Sequence, residues 1–495
     1  MNLTVRFSPS PTGALHIGSV RTALFNYLLA KQKNGKFLLR IEDTDQKRFD
    51  PNSEKHIFES LQWLGIEPDE SPIHGIHDIK YRQTEREYQD LIQNLIDNGH
   101  AYYAFDTEEE LNSARERWKV LEISSGYSTL TRNEMKNSLT IPSDEVKMKI
   151  INGDPYVIRF KMPKDRIVKF VDGVRGSVEM NTKELDDKVL MKSNKIPTYH
   201  GANVIDDHLM NITDVIRGEE WLTSTPLHIL IYEAFGWDIP KFYHLPLILD
   251  KDGKKFSKRT ALKQGISIFA LNWTGYDEDS DEFKTILGFK EIGYEKEALL
   301  NYLVLLGWHP TDNKEILSLS DMIEKFDIND INKSGAKFDV DKLNFINSYY
   351  VRNLPSDIVL KEVNADMTRY DCIKLESIVS LIKERAIFRK DFIKTAKIFF
   401  SDIENYEDLY VIDDISKNIF GIFIERIDTI EWTKENIKML LINITNEKGI
   451  KLGKIMPAFR MIITGCKSGP DLMTTCEILG KDIIYKRINF FNETY

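Results

Sequence analysis

Residues 3–19, LTVRFSPSPTGALHIGS, decide the fold. Leu3, Val5 and Phe7 alternate with Thr4, Arg6 and Ser8, the period of a half-buried strand. Pro9, Pro11 and Gly13 break that strand, and Val20, Leu24, Tyr27 and Leu28 then recur at helical spacing from a start near His16–Ser19 to a stop at Gly35. Lys36–Ile41 follows as a second strand, and its apolar run Phe37, Leu38, Leu39 suits a parallel sheet buried on both faces. Strand, helix and strand in this order predict a βαβ unit and a doubly wound, Rossmann-like α/β core.

Working outward, Tyr88, Leu91, Ile92, Leu95 and Ile96 form one helical face closed by Gly99. Residues 106–145 are charged and weakly periodic, and Tyr156–Lys161 alternates like a strand, so 103–195 reads as an α+β insertion. It divides the nucleotide fold into 1–102 and 196–262. In the second half a helix is expected with Thr225 as cap, Pro226 in its first turn and Gly236 as stop. Beyond about 290, segments such as EALLNYLVLLGW and WTKENIKMLLINI are helical and strand signals are few, which predicts helical domains at 263–335 and 336–495. The expected fold is multidomain, α/β plus all-α.

Composition bounds the function. At 495 residues, with 42% hydrophobic and 29% charged, the chain is a globular protein of several domains. Cys372, Cys466 and Cys476 form no CxxC pair, so neither a disulfide framework nor a thiolate zinc site is signalled, as suits a reducing cytoplasm. No apolar run approaches the ~18 residues of a membrane span, and residues 1–13 lack a signal-peptide core, so a cytoplasmic protein with no membrane partner is expected. The net charge of -10 leaves any polyanion to be met by local Lys and Arg.

Two clusters carry chemistry. The turn after the first strand places Gly13, His16, Gly18 and Ser19 at a helix N-terminus, where backbone amides and the helix dipole can hold phosphate. A histidine there either faces the anion or caps its own helix. KDGKKFSKR, residues 251–259, sets five cations against Asp252. Alone it reads as a solvated basic loop, but Gly253 lends mobility and Lys258 could swing onto a pyrophosphate and neutralise charge developing in a transition state.

SPSPTGALHIGS, RIEDTD (40–45) and KFSKR together resemble the signatures of class I aminoacyl-tRNA synthetases, most closely glutamyl-tRNA synthetase. The block 197–228, EALLNYLVLLGW and KLGKIMPAFRMIITG extend the resemblance over nearly the whole chain. It implies attack of glutamate on ATP to give glutamyl-adenylate, then transfer to the terminal adenosine of glutamate tRNA, with glutamine tRNA a second candidate acceptor. It also implies a glutamate pocket of Arg6, Ser10, Glu42, Tyr199, Asn203 and Arg217, where guanidinium groups suit carboxylates and Glu42 the ammonium. ATP is assigned Gly13, His16, Gly18, Ser19, Trp221, Leu247, Ile248, Lys255, Ser257 and Lys258, with His16, Gly18 and Lys258 as the catalytic set. Mg²⁺ accompanies ATP without a dedicated carboxylate cage, and Asp43, Asp45, Asp206 and Asp207 are structural or positioning groups. The insertion would bind the acceptor end, 263–335 the stem and 336–495 the anticodon, with Lys448, Lys451, Lys454 and Arg460 as candidate contacts. A monomer is expected.

Some positions depart from the pattern. Ser19 stands where the first signature often has histidine, and KFSKR replaces KMSKS, both variants familiar in this family. Many relatives bind zinc in the insertion, but GHAYYAFDTEEEL has no cysteine, so no zinc is expected. Residues 266–293 look longer than usual and receive no function. The rivals are glutaminyl-tRNA synthetase, disfavoured because that family carries β-barrels where this chain is helical, and a non-catalytic tRNA-binding relative.

Overall fold

The structure is a computed structural model that describes residues 2–75, 80–122, 126–257, 260–261, 266–277, 282–403 and 413–494. It divides into two units, Met1–Ile292 with Leu299–Val340, and Gly293–Ala298 with Asp341–Tyr495.

In the first unit, β1 (Thr4–Phe7), α1 (Ile17–Gln32) and β2 (Lys36–Leu39) form the expected βαβ element, and β1 pairs with β2 in parallel from Thr4↔Lys36 to Phe7↔Leu39. Every residue of β1 is buried, Arg6 included. Helix α1 buries Ile17, Val20, Leu24, Phe25 and Leu28, as a helix enclosed on the sheet must. Then come α2 (Pro51–Leu64), α3 (Gln89–Asp97), β3 (Ala101–Ala104), α4 (Glu108–Val120), α5 (Ser143–Ile151) and β4 (Val157–Phe160). The weakly periodic stretch contains α4, which Thr107 and Glu110 start with a reciprocal capping box.

Next are β5 (Ile167–Asp172), β6 (Gly176–Asn181), β7 (Val189–Met191), α6 (Tyr199–Leu209), β8 (Asp214–Gly218), α7 (Thr225–Phe235) and β9 (Lys241–Leu245). Strands β3, β4 and β7 make a small antiparallel sheet, whereas the sheet order β6-β5-β9-β8 carries the β5–β6 hairpin onto the nucleotide fold. Thr213 ties β8 to β1, its N–H donating to the Thr4 carbonyl at 3.0 Å. The carboxyl ends of β1, β2, β8 and β9 thus open on one side, where ligands of such sheets bind. Helix α7 corrects one expectation: Ser224 holds the cap position and Thr225 lies inside the helix, where its hydroxyl accepts from Arg217 Nη2 at 2.7 Å.

A second correction concerns 263–335. After β10 (Ile248–Leu249), strands β11 (Trp273–Asp277) and β12 (Glu282–Ile286) form an antiparallel hairpin within that expected helical stretch. The β-branched and aromatic residues Trp273, Thr274, Phe283, Thr285 and Ile286 favour it.

The second unit is helical, including Cys372–Lys383, Lys390–Phe400, Asp414–Arg426, Lys434–Glu447, Leu452–Thr464, Leu472–Leu479 and Lys481–Thr494. The i, i+3, i+4, i+7 set Ile437, Leu440, Leu441 and Ile444 faces a core shared with Phe392, Phe420, Phe459 and Ile488. Arg487 is buried there, its guanidinium held by the carbonyls of Ile463 and Ile398. Among the described residues no helix is long and apolar enough to cross a membrane.

Candidate active site

A cavity of about 480 Å³ opens at those carboxyl strand ends. Its lining brings together Arg6, Ser10, Glu42, Tyr199, Asn203, Arg217, His16, Gly18, Ser19, Trp221, Leu247, Ile248, Lys255 and Ser257, drawn from β1, α1, the end of β2, α6, β8 and the segment after β9. Gly13 shapes the preceding turn and is not in the lining, and Lys258 lies outside the described residues.

The α1 end combines both readings of His16. Its Nδ1 accepts from the Gly18 N–H at 2.8 Å, so it caps its own helix, and it lines the cavity as well. Burial lowers its pKa, with Lys255 pushing the same way against a hydrogen bond to the Phe256 backbone. The ring is therefore neutral near pH 7, and since Nδ1 accepts, its proton sits on Nε2. Ser19 N–H is bonded to the His16 carbonyl at 2.8 Å. Beside this end, Arg21 is buried against the carbonyls of Leu306 and Pro246, and burial draws its pKa down to about 10.

Behind Arg6, Glu42 and Asn203 of the lining lies a buried charge network. Arg40 has no exposed surface and donates to Asp207 Oδ1 at 2.6 Å, Asn203 Oδ1 at 3.0 Å and Glu42 Oε1 at 3.1 Å. Arg6 grips Asp207 through Nε at 3.0 Å and Nη2 at 3.2 Å. Asp206 takes Gln83 at 2.8 Å, Tyr88 at 3.0 Å and Arg86 at 3.1 Å. Arg6, Arg40 and Arg86 thus balance Glu42, Asp206 and Asp207 in a nearly dry place, the condition under which buried charges are tolerated.

Burial drives the Glu42 carboxyl above its usual range, only partly opposed by Arg40 and Arg6. Burial pushes Asp207 the same way, but Arg6 and Arg40 together outweigh it and leave the pKa lowered. Glu42 Oε2 and Arg6 Nη1 have no hydrogen-bond partner among the described residues, and both residues line the cavity.

Arg217 is held differently. Its Nε donates to His244 at 3.1 Å, Nη1 to Tyr199 at 3.0 Å and His228 at 3.2 Å, and Nη2 to Thr225 at 2.7 Å and the Trp221 carbonyl at 3.4 Å. The Tyr199 and Trp221 rings pack at a tilt of 31° with centroids 4.0 Å apart. On the side expected for adenosine, the Leu247 N–H already donates to Glu219 at 2.8 Å and the Ile248 carbonyl accepts from Phe256 at 2.8 Å. In the second unit Lys448, Lys451 and Lys454 are exposed, whereas Arg460 is half-buried and donates to the Pro470 carbonyl at 2.8 Å.

Comparison with known proteins matches residues 2–276 and 278–345 to the catalytic domain of class I tRNA synthetases (E and Q), and residues 356–491 to an anticodon binding domain. The glutamate–tRNA ligase of Amoebophilus asiaticus is 46% identical, the alignment covering 98% of this chain and 97% of that protein. That of Cytophaga hutchinsonii is 44% identical, with 98% and 96% covered. A crystal structure of a glutamate tRNA ligase from Elizabethkingia meningosepticum, in complex with its amino acid, superposes with a TM-score of 0.89 at 43% identity over 100% of both chains. With this agreement in catalytic and anticodon-binding regions alike, the chain belongs to the glutamate–tRNA ligase family of class I tRNA synthetases.

Proposed function

We propose that the cavity holds ATP and glutamate side by side, forms glutamyl-adenylate, and passes the glutamyl group to the terminal adenosine of glutamate tRNA. As a member of its family the chain is an ATP-dependent ligase acting in translation. The observation that carries the residue assignment is the convergence of His16, Gly18, Glu42, Asn203, Arg6 and Arg217 on one cavity. Glutamate carries two carboxylates and an ammonium. The unpartnered Glu42 oxygen suits the ammonium, while Arg6 Nη1 and the Tyr199–Arg217 corner suit carboxylate. At the other end, the positive end of the α1 dipole and the His16 ring at its cap face phosphate, with Lys255 and Lys258 neutralising its charge.

No protein nucleophile is required. The glutamate α-carboxylate attacks the α-phosphorus and pyrophosphate leaves, so catalysis rests on positioning and charge stabilisation. Of the described lining, Glu42 and Glu220 bring the carboxylates, too few to cage a dication. This donor set fits Mg²⁺ carried by ATP, which phosphates and water would hold and which would neutralise phosphate charge. The enzyme is proposed to work as a cytoplasmic monomer, with Lys448, Lys451, Lys454 and Arg460 toward the anticodon.

The test is ATP-dependent charging with labelled glutamate and glutamine on purified glutamate tRNA and glutamine tRNA separately. Glutamate on glutamate tRNA is the expected product, and glutamate on both tRNAs would mark a non-discriminating enzyme. Arg6→Ala should raise the glutamate KM. Glutamine as the preferred amino acid, or no charging at all, would refute the assignment.

A further inference from the structure

The two arginines of the amino-acid end differ in one respect. Arg6 is engaged directly by the Asp207 carboxylate, but every acceptor on Arg217 is neutral: two imidazoles, a phenol, a hydroxyl and a carbonyl. A guanidinium has five N–H donors, and those five acceptors fix its plane. One ring away stands an anion. Asp172, at the end of β5, lies 2.6 Å through Oδ2 from His244 Nδ1, and both side chains have no exposed surface.

The Asp172 carboxylate is itself anchored, because Oδ1 accepts from the Val174 N–H at 3.0 Å, the Arg175 N–H at 2.8 Å and the His244 N–H at 3.4 Å. Burial alone would raise its pKa, but these bonds and the His244 ring bring it below the usual range. The acid is therefore ionised and only accepts, which puts the imidazole proton on Nδ1. Burial in turn lowers the His244 pKa, with Asp172 opposing and Arg217 adding to the effect. His244 Nε2 then offers a lone pair to Arg217 Nε.

We propose that Asp172 and His244 are positioning residues that hold Arg217 by relay, so that its charge is stabilised in the interior yet stays unpaired for an incoming glutamate carboxylate. A direct Asp–Arg pair would occupy the guanidinium edge that the substrate needs. The relay supplies the negative charge at second hand and leaves that edge to displaceable neutral groups such as the Tyr199 hydroxyl. Because Asp172 belongs to the β5–β6 hairpin, that hairpin contributes to the amino-acid end of the cavity. The proposal rests on the assignment of Arg217 to the glutamate pocket.

Asp172→Asn is nearly isosteric. Its amide must place N–H₂ either toward His244 Nδ1, driving the ring to the tautomer whose Nε2–H opposes Arg217, or toward the backbone N–H groups. Measured by charging of glutamate tRNA with the full chain, the glutamate KM should rise roughly 10-fold or more while the ATP KM stays within about 2-fold, the behaviour of a lost supporting contact. His244→Leu should behave likewise. His244→Gln, whose amide can donate to Asp172 and accept from Arg217, should recover most of that loss, and this pair carries the test if Asp172→Asn does not fold. An unchanged glutamate KM in Asp172→Asn or His244→Leu, or glutamate and ATP KM values rising together, would overturn the relay. Arg217→Ala separates the two levels. If it leaves the glutamate KM unchanged, the pocket assignment itself falls and the relay with it.

Discussion

Replacing Arg40 with methionine removes a cation enclosed by Glu42, Asp206 and Asp207 while keeping an unbranched apolar side chain in its place. The variant leaves three carboxylates in a dry interior with only Arg6 and Arg86 to balance them. Breaking a buried network of this kind costs about 3–5 kcal/mol, which at ~2.1 cal/mol/K per residue over a unit of about 330 residues corresponds to a fall of about 4–7 °C in midpoint. Six of the seven tryptophans belong to the first unit, so tryptophan fluorescence during heating reports on that unit.

The deficit should also depend on pH in a definite direction. Arg6 and Arg40 outweigh burial and hold Asp207 below its ordinary range, so the wild type gains stability above the unfolded value of ~3.9 and loses it as pH falls through the lower folded value. The variant lacks much of that gain, and its buried carboxyls relieve themselves by taking up protons. The gap between the two proteins should therefore be widest near neutrality and narrow toward pH ~4. A midpoint within about 2 °C of wild type at pH 7 would refute the view that Arg40 is the keystone of this network.

Lys258→Ala should slow adenylate formation by roughly 10²–10³-fold while tRNA affinity is spared, and near-normal turnover would remove it from the transition state. A Cβ at Gly35 would stand 2.4 Å from the Leu3 carbonyl oxygen, in the β1–β2 pairing, so Gly35→Ala should cost about 1–3 kcal/mol in urea melts; an unchanged midpoint contradicts the close approach. Burial lowers the pKa of His200 to about 4, so the unfolded ring takes up protons that the folded one refuses. Stability should fall as pH drops from ~7 to ~4, with a shallower slope in His200→Gln, and an identical slope would exclude His200 as a source.

The βαβ element was legible because β1, α1 and β2 are set by local periodicity and by Pro/Gly punctuation, which a sequence displays directly. Most residues expected at the cavity also line it, but that expectation came from family resemblance, since spacing cannot bring Arg6 to Asn203. Arg40 was hidden for a physical reason. On a strand it reads as one more polar residue, and its partner Asp207 is 167 residues away. Asp172 was hidden because DGVRG reads as an ordinary hairpin turn. The hairpin 273–286 is hard to read from sequence because Gly275 and the acidic run after Tyr276 resemble a loop. Thr225 looked like a cap because its hydroxyl sits at a helix start, yet that hydroxyl serves Arg217.

The long separations in the charge network bear on how the chain is made. Arg6 and Arg40 precede Asp207 by 201 and 167 residues, so at ~5–20 residues per second they leave the ribosome about 8–40 s before their counterion exists. During that interval Arg6 lacks its counterion and Arg40 has Glu42 alone, and the nascent β1–β2 element must keep both guanidinium groups hydrated. The first unit therefore consolidates late in synthesis, and a chain cut short of residue 206 carries Arg6 with no counterion and Arg40 with Glu42 alone.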